Sequence, residues 1–115
     1  MIEKYDFGRI VIDGKEYTED LKVFPSQVKP GWWRERGHLL QSRDITDVLE
    51  FHLDLLVIGT GYHGNMELSA GLKEILDERG IVHVESESPE AVDIFNHEDG
   101  KAGPEEVIGI FHLTC

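Results

Sequence analysis

Residues 54–64, Asp-Leu-Leu-Val-Ile-Gly-Thr-Gly-Tyr-His-Gly, constrain this chain more than any other stretch. Leu55, Leu56, Val57 and Ile58 run without polar alternation, the pattern of a strand covered on both faces, which calls for a parallel or mixed sheet with helices packed on it. The run breaks into Gly59, Gly61 and Gly64. A helical pattern over residues 65–79 follows at once, with Asn65 as its cap, Leu68, Leu72, Ile75 and Leu76 on one face, and Gly80 closing it. Strand, glycine turn and helix are the parts from which phosphate and carboxylate sites are often made.

Upstream, residues 5–12 alternate with a strand's period, and Asp13-Gly14 tolerates the positive φ values of a two-residue hairpin turn, so residues 15–17 read as the returning strand. Residues 20–24 form a further extended piece before Pro25-Ser26, and Val28 begins another before Pro30-Gly31. The first third is therefore β-rich and mostly antiparallel. Asp44 is placed to cap a short helix through Phe51, with Ile45, Val48 and Leu49 inward and Asp47 near its positive end. Residues 81–84 read as a second short strand. Ser88-Pro89 then starts a helix running to about Phe95, with Ala91, Val92 and Phe95 inward. Residues 96–104 read as a loop, and residues 107–113 as a last apolar strand broken by Gly109 and His112. The order after residue 44 is α-β-α-β-α-β, with right-handed crossovers that place helices on the sheet.

At 115 residues the chain has room for one core, so residues 1–115 form a single domain. Its 23 acidic against 11 basic residues give a net charge of −12, a field that repels nucleic acid and anionic lipid and suits a partner with a basic patch. No stretch approaches a membrane span, and Met1-Ile2-Glu3-Lys4 begins no apolar signal region, so a soluble cytoplasmic protein is expected. Cys115 is the only cysteine, which leaves no internal disulfide and no multi-cysteine metal site. The 6 histidines form no i, i+4 helical pair, and no metal is expected.

Residues 32–43 hold both tryptophans and three of the five arginines, a basic aromatic island in an acidic chain. One reading has a tryptophan covering the core while the arginines balance surface carboxylates. The other is an anion clamp, in which Arg34 and Arg36, two apart on an extended segment, point the same way with His38. Gly59, Gly61 and Gly64 also satisfy the dinucleotide pattern literally, with Glu85 about 20 residues on. Two features oppose that use. The chain has no room for two mononucleotide halves, and Glu67 would set a carboxylate in the first helical turn, where phosphate would sit. A tight glycine turn is the reading adopted, with no cofactor.

The chain resembles a known family, the small MTH938-like domains of unknown function, whose relatives include adipogenesis-associated and complex I assembly proteins. The resemblance covers nearly the whole chain. It is carried by Tyr5-Asp-Phe-Gly with Ile10 and Gly14-Lys-Glu-Tyr17, by Trp33-Arg34 ahead of Gly37-His38, by Leu56-Val-Ile-Gly-Thr-Gly61, by Gly80-Ile81, by the helix from Ala91 to Asn96 and by Leu113-Thr-Cys115. Glu98 stands where the family usually carries a hydrophobic residue. The resemblance implies a three-layer α/β fold: a central mixed sheet, helices on one face, and a β-rich N-terminal hairpin layer with further helical structure on the other. It implies no established reaction.

The candidate pocket comprises Trp33, Arg34, Arg36, Gly59, Thr60, Gly61, His63, Gly64 and Asn65, with arginines and free N–H groups of the glycine turn around a carboxylate or phosphate. His63 could act as acid or base, but no nucleophile elbow or spaced carboxylate pair accompanies it. The expected function is a non-enzymatic binding or assembly module with a small-anion pocket at the glycine loop. The alternative is a small enzyme acting on an anionic substrate there. Expected partners are a small anion or a protein, with no nucleic acid and no membrane, and the chain is a monomer or a homodimer paired through its hairpin edges.

Overall fold

The computed structural model describes residues 1–100 and 106–115. Among the described residues, ten strands and three α-helices follow in order: β1 (Ile2–Asp6), β2 (Arg9–Ile12), β3 (Lys15–Tyr17), β4 (Leu21–Phe24), β5 (Gln27–Pro30), β6 (Leu39–Leu40), a 3-10 turn (Ser42–Asp44), α1 (Thr46–Leu49), β7 (Leu55–Thr60), β8 (Glu67–Leu68), α2 (Ala70–Glu78), β9 (His83–Ser86), α3 (Ser88–Asp99) and β10 (Val107–His112).

The central sheet has the order β5-β4-β10-β7-β9. β10, β7 and β9 are parallel, while β4 and β5 join antiparallel on one side, so the sheet is mixed. The unbroken apolar run of β7 is explained by its two faces. Leu56 and Ile58 enter one core with Leu72 and Leu76 of α2 and Val48 of α1, while Val57 enters the other with Ala91, Val92 and Phe95 of α3. β10 divides the same way, Ile108 and Ile110 to the first core, Val107 and Phe111 to the second. The second core is closed by the antiparallel sheet β1-β2-β3 through Ile2, Ile10 and Ile12. The Asn96 side chain ties α3 to that layer, accepting from Ile2 N at 2.9 Å and donating to Ile2 O at 2.7 Å. The hairpin layer and α3 thus share one face; α1, α2 and the small β6-β8 pair cover the other.

Several boundaries differ from the sequence reading. The extended stretch 5–12 is two strands, folded at Phe7-Gly8, where Gly8 N bonds to Leu113 O at 2.9 Å. The Asp13-Gly14 turn is as expected, with φ of 48° and 82°. Asp44 does not cap a helix ahead of it; it ends the 3-10 turn, and its carboxylate bonds back to Gln41 N at 2.8 Å. The helix expected from Asn65 begins at Ala70, capped by Ser69 Oγ on Leu72 N at 3.1 Å. Residues 66–69 are held out of the helix by non-local pairing: Glu67 N bonds to His38 O at 2.9 Å and Ser69 N to Leu40 O at 2.8 Å. β9 starts two residues later than expected, because Ile81 N closes α2 on Leu76 O. α3 starts at Ser88, with Pro89 in its first turn, and runs through the half-buried Glu98 to Asp99. Residues 101–104 of the expected loop lie outside the described residues.

Candidate functional site

β7 and β10 end side by side, with Thr60 level with His112, and Ser86 of β9 lies level with Gly59. The carboxyl ends of these parallel strands form the edge at which α/β sheets bind ligands. Gly61 N donates to Ser88 Oγ at 3.0 Å, Ser88 Oγ donates to His112 O at 2.6 Å, and Thr60 Oγ1 donates to Ser86 O at 3.0 Å, which ties all three strand ends together. Ser88 therefore serves this edge with its hydroxyl rather than capping α3.

The glycine loop packs against the chain itself. Tyr62 N bonds to Thr114 O at 3.1 Å, Gly64 N to Gly61 O at 3.1 Å and Asn65 N to Cys115 O at 3.2 Å. With Gly61 N on Ser88, four loop amides expected to be free are spent within the chain. The loop opens into β8 rather than a helix, so the literal dinucleotide pattern lacks the helix N-terminus on which that mode of binding depends. His63 and Asn65 are exposed, and the His63 ring lies 5.0 Å from Tyr62 and 6.4 Å from Phe7 between centroids.

The polar centre of this edge lies beside the loop. The segment after β5 does cross it, but Arg34 and Arg36 part company. Arg34 is buried, its side chain 4% exposed, while Arg36 is exposed. Arg34 Nη2 donates to Asp20 Oδ2 at 2.8 Å and to Gly37 O at 3.1 Å, and the guanidinium stacks 4.5 Å from the Trp32 ring. His112 Nδ1 lies 2.7 Å from the same Asp20 oxygen, and Leu113 N donates to the other at 2.7 Å. Two acceptors cannot face each other at that distance, so Nδ1 carries the proton and donates to the carboxylate. Burial works to raise the Asp20 carboxyl, but the hydrogen bonds from His112, Leu113 and Arg34 outweigh it and hold it below the usual range. The exposed His38 ring lies 5.8 Å from His112. Trp33, next to the buried Trp32, is 79% exposed and turns away into a surface cleft.

Asp20, Ser88 and His112 were missed as site residues. His112 carried a signal, a lone polar residue closing a buried apolar strand, where a side chain must find partners. Tyr5 completes the edge, its hydroxyl donating to Leu113 O at 2.6 Å. Burial pushes its phenol up to about 12. The hydrogen-bonded, protonated form is preferred in the fold, so this contribution is present below the unfolded value near ~10 and lost as pH rises through the folded one. Tyr5→Phe is expected to remove the latest component of a spectrophotometric tyrosine titration and to cost about 1 kcal/mol in denaturant unfolding.

The layers and sheet order define an MTH938-like α/β domain. The chain belongs to the family of proteins of unknown function described as DUF498/DUF598, which it matches over residues 2–112. It is similar to the conserved hypothetical protein PH1505 from Pyrococcus horikoshii OT3, at 25% identity over 100% of this chain and 99% of that one, with a TM-score of 0.81. It is similar to MT938 at 24% identity, 100% and 98% coverage and a TM-score of 0.77. A third similar structure is an outer membrane protein from Bartonella henselae, at 23% identity, 99% and 94% coverage and a TM-score of 0.78. No helix among the described residues of this chain is long and apolar enough to cross a membrane.

Proposed function

We propose that this chain is a non-enzymatic binding or assembly module that holds a small anion, a carboxylate or phosphate, at the carboxyl edge of β7 and β10. The glycine loop walls the site, and Arg34 with His112 replaces the loop amides at its centre. One observation carries the reading. Arg34 Nη1 and His112 Nε2 are buried without a hydrogen-bond partner, on side chains only 4% and 8% exposed. Such orphans are costly, and a bound group relieves the cost. With Nδ1 committed to Asp20, a neutral His112 offers only an acceptor at Nε2; a cationic ring offers a second donor beside Arg34. The charged and titratable groups around the ring are Asp20, Arg34 and His38.

The test follows the His112 and His38 ring signals by NMR during titration with phosphate, sulfate and acetate. The expected result is saturable movement of His112, lost in the Arg34→Ala, Arg36→Ala double variant. Shifts that only track ionic strength, or binding unchanged in the double variant, would overturn the reading.

The enzyme alternative has one observation in its favour, the Asp20–His112 pair at 2.7 Å, which orients Nε2 as a proton acceptor. Turnover of a bound acid or phosphate ester, abolished by His112→Gln, would separate it from the module.

A further inference from the structure

We infer that the site at the strand ends selects anions that carry a hydroxyl proton of their own, hydrogenphosphate or a 2-hydroxy acid, over similar anions that carry none. This selectivity rests on the anion site proposed for that edge. Among the described residues, Arg34 Nη1 and His112 Nε2 are the side-chain nitrogens buried without a partner, and they are of opposite kinds. Arg34 Nη2 donates to Asp20 Oδ2 at 2.8 Å and to Gly37 O at 3.1 Å, which leaves Nη1 with donors only. His112 Nδ1 donates to the same Asp20 oxygen at 2.7 Å, which leaves Nε2 as an acceptor.

Charge keeps Nε2 in that role. The Asp20 carboxylate is already matched by the Arg34 guanidinium. A second proton on His112 would add an uncompensated charge to a side chain 8% exposed, with the guanidinium 3.2 Å from the ring. That approach, between Arg34 Nη2 and His112 Nδ1, also limits the distance between the two unpaired nitrogens. It is at most about 8 Å, a gap that one oxyanion with two hydrogen bonds of ordinary length spans. The exposed His38 ring, 5.8 Å from that of His112, brings solvent close to the pair. A fully deprotonated anion answers Arg34 but sets a lone pair against Nε2. An anion with an O–H answers both, one oxygen accepting from Nη1 while the hydroxyl donates to Nε2. Leaving a buried polar group unpaired is what lets a site reject the wrong analogue.

The test is calorimetric titration at neutral pH with two matched pairs, phosphate against sulfate and glycolate against acetate. Phosphate keeps a hydroxyl that sulfate lacks, and glycolate adds one to acetate. The hydroxyl-bearing member should bind about tenfold more tightly in at least one pair, and that pair tells a tetrahedral ligand from a 2-hydroxy acid. Nitrogen NMR of the His112 ring should show Nε2 still unprotonated when the tighter ligand is bound. His112→Asn keeps an N–H for Asp20 at the Nδ1 position and deletes Nε2, so it should retain the weaker member of the pair and lose the preference. Equal or reversed affinities within both pairs, a doubly protonated ring in the complex, or a preference that survives His112→Asn would overturn the selectivity and leave the anion site standing. If none of the four anions binds saturably, both the selectivity and the anion site are wrong.

Discussion

Asp20→Ala is expected to destabilise the fold by about 3–5 kcal/mol, because it removes the anionic member of a buried charged cluster and leaves the others uncompensated. Asp20 joins three distant parts of the chain: the entry to β4, the Arg34 segment and the end of β10. Its two oxygens satisfy Arg34 Nη2, His112 Nδ1 and Leu113 N–H. Alanine would strand a guanidinium, an imidazole N–H and a backbone N–H together. The same contacts set a pH dependence. Because the folded carboxyl is held below its usual value, the folded state binds its proton less readily than the unfolded chain. The stabilisation is complete above the unfolded carboxyl value near ~3.9 and is lost as pH falls through the folded one. Asp47 adds a component of the same sign: burial works to raise it, and Lys22, Lys29 and Val48 N–H outweigh burial to hold it low. Denaturant unfolding of the parent and Asp20→Ala across the acid range measures both effects. The parent should lose stability on acidification, and the variant should start lower and lose less. Equal stabilities of the two proteins near neutral pH would show that the cluster is not structural.

The sequence made visible those features that are set by neighbours along the chain. β7 was legible because both of its faces are buried, which leaves no polar alternation, and the 13–14 turn because few dipeptides accept two positive φ values. The apolar face of α2 was legible too, but its start was not. Asn65 and Ser69 are both good caps, and the choice between them is made by residues 38–40, which recruit residues 66–69 into β-pairing. The Arg34 and Arg36 spacing placed both on one face only if that segment were a regular strand. The chain bends instead, and one arginine goes inward while the other stays in water. The polar centre was the least legible part, since Asp20 and His112 are 92 residues apart and neither residue alone points to the other.

The glycines of the loop also have a structural explanation that spacing alone could not supply, and Gly61→Ala is the substitution that tests it. Gly61 has φ of 108°, a conformation in which a β-carbon is strained. A Cβ there would lie 2.5 Å from the Cys115 carbonyl carbon and 2.6 Å from Thr114 O, both backbone atoms that no rotamer change can move. Residues 114 and 115 are themselves fixed by Tyr62 N and Asn65 N, so relieving the clash means giving up those two hydrogen bonds. Strain and overpacking together are expected to cost roughly 3–5 kcal/mol. Two controls separate the contributions. At Gly14, φ is 82° with nothing near a new β-carbon, so Gly14→Ala should show the backbone strain alone, about 1 kcal/mol. Gly37 has an ordinary φ and open space, so Gly37→Ala should be close to neutral. If Gly61→Ala cost no more than Gly14→Ala, residues 114–115 would not be packed on the loop, and its amides would be available for the anion after all.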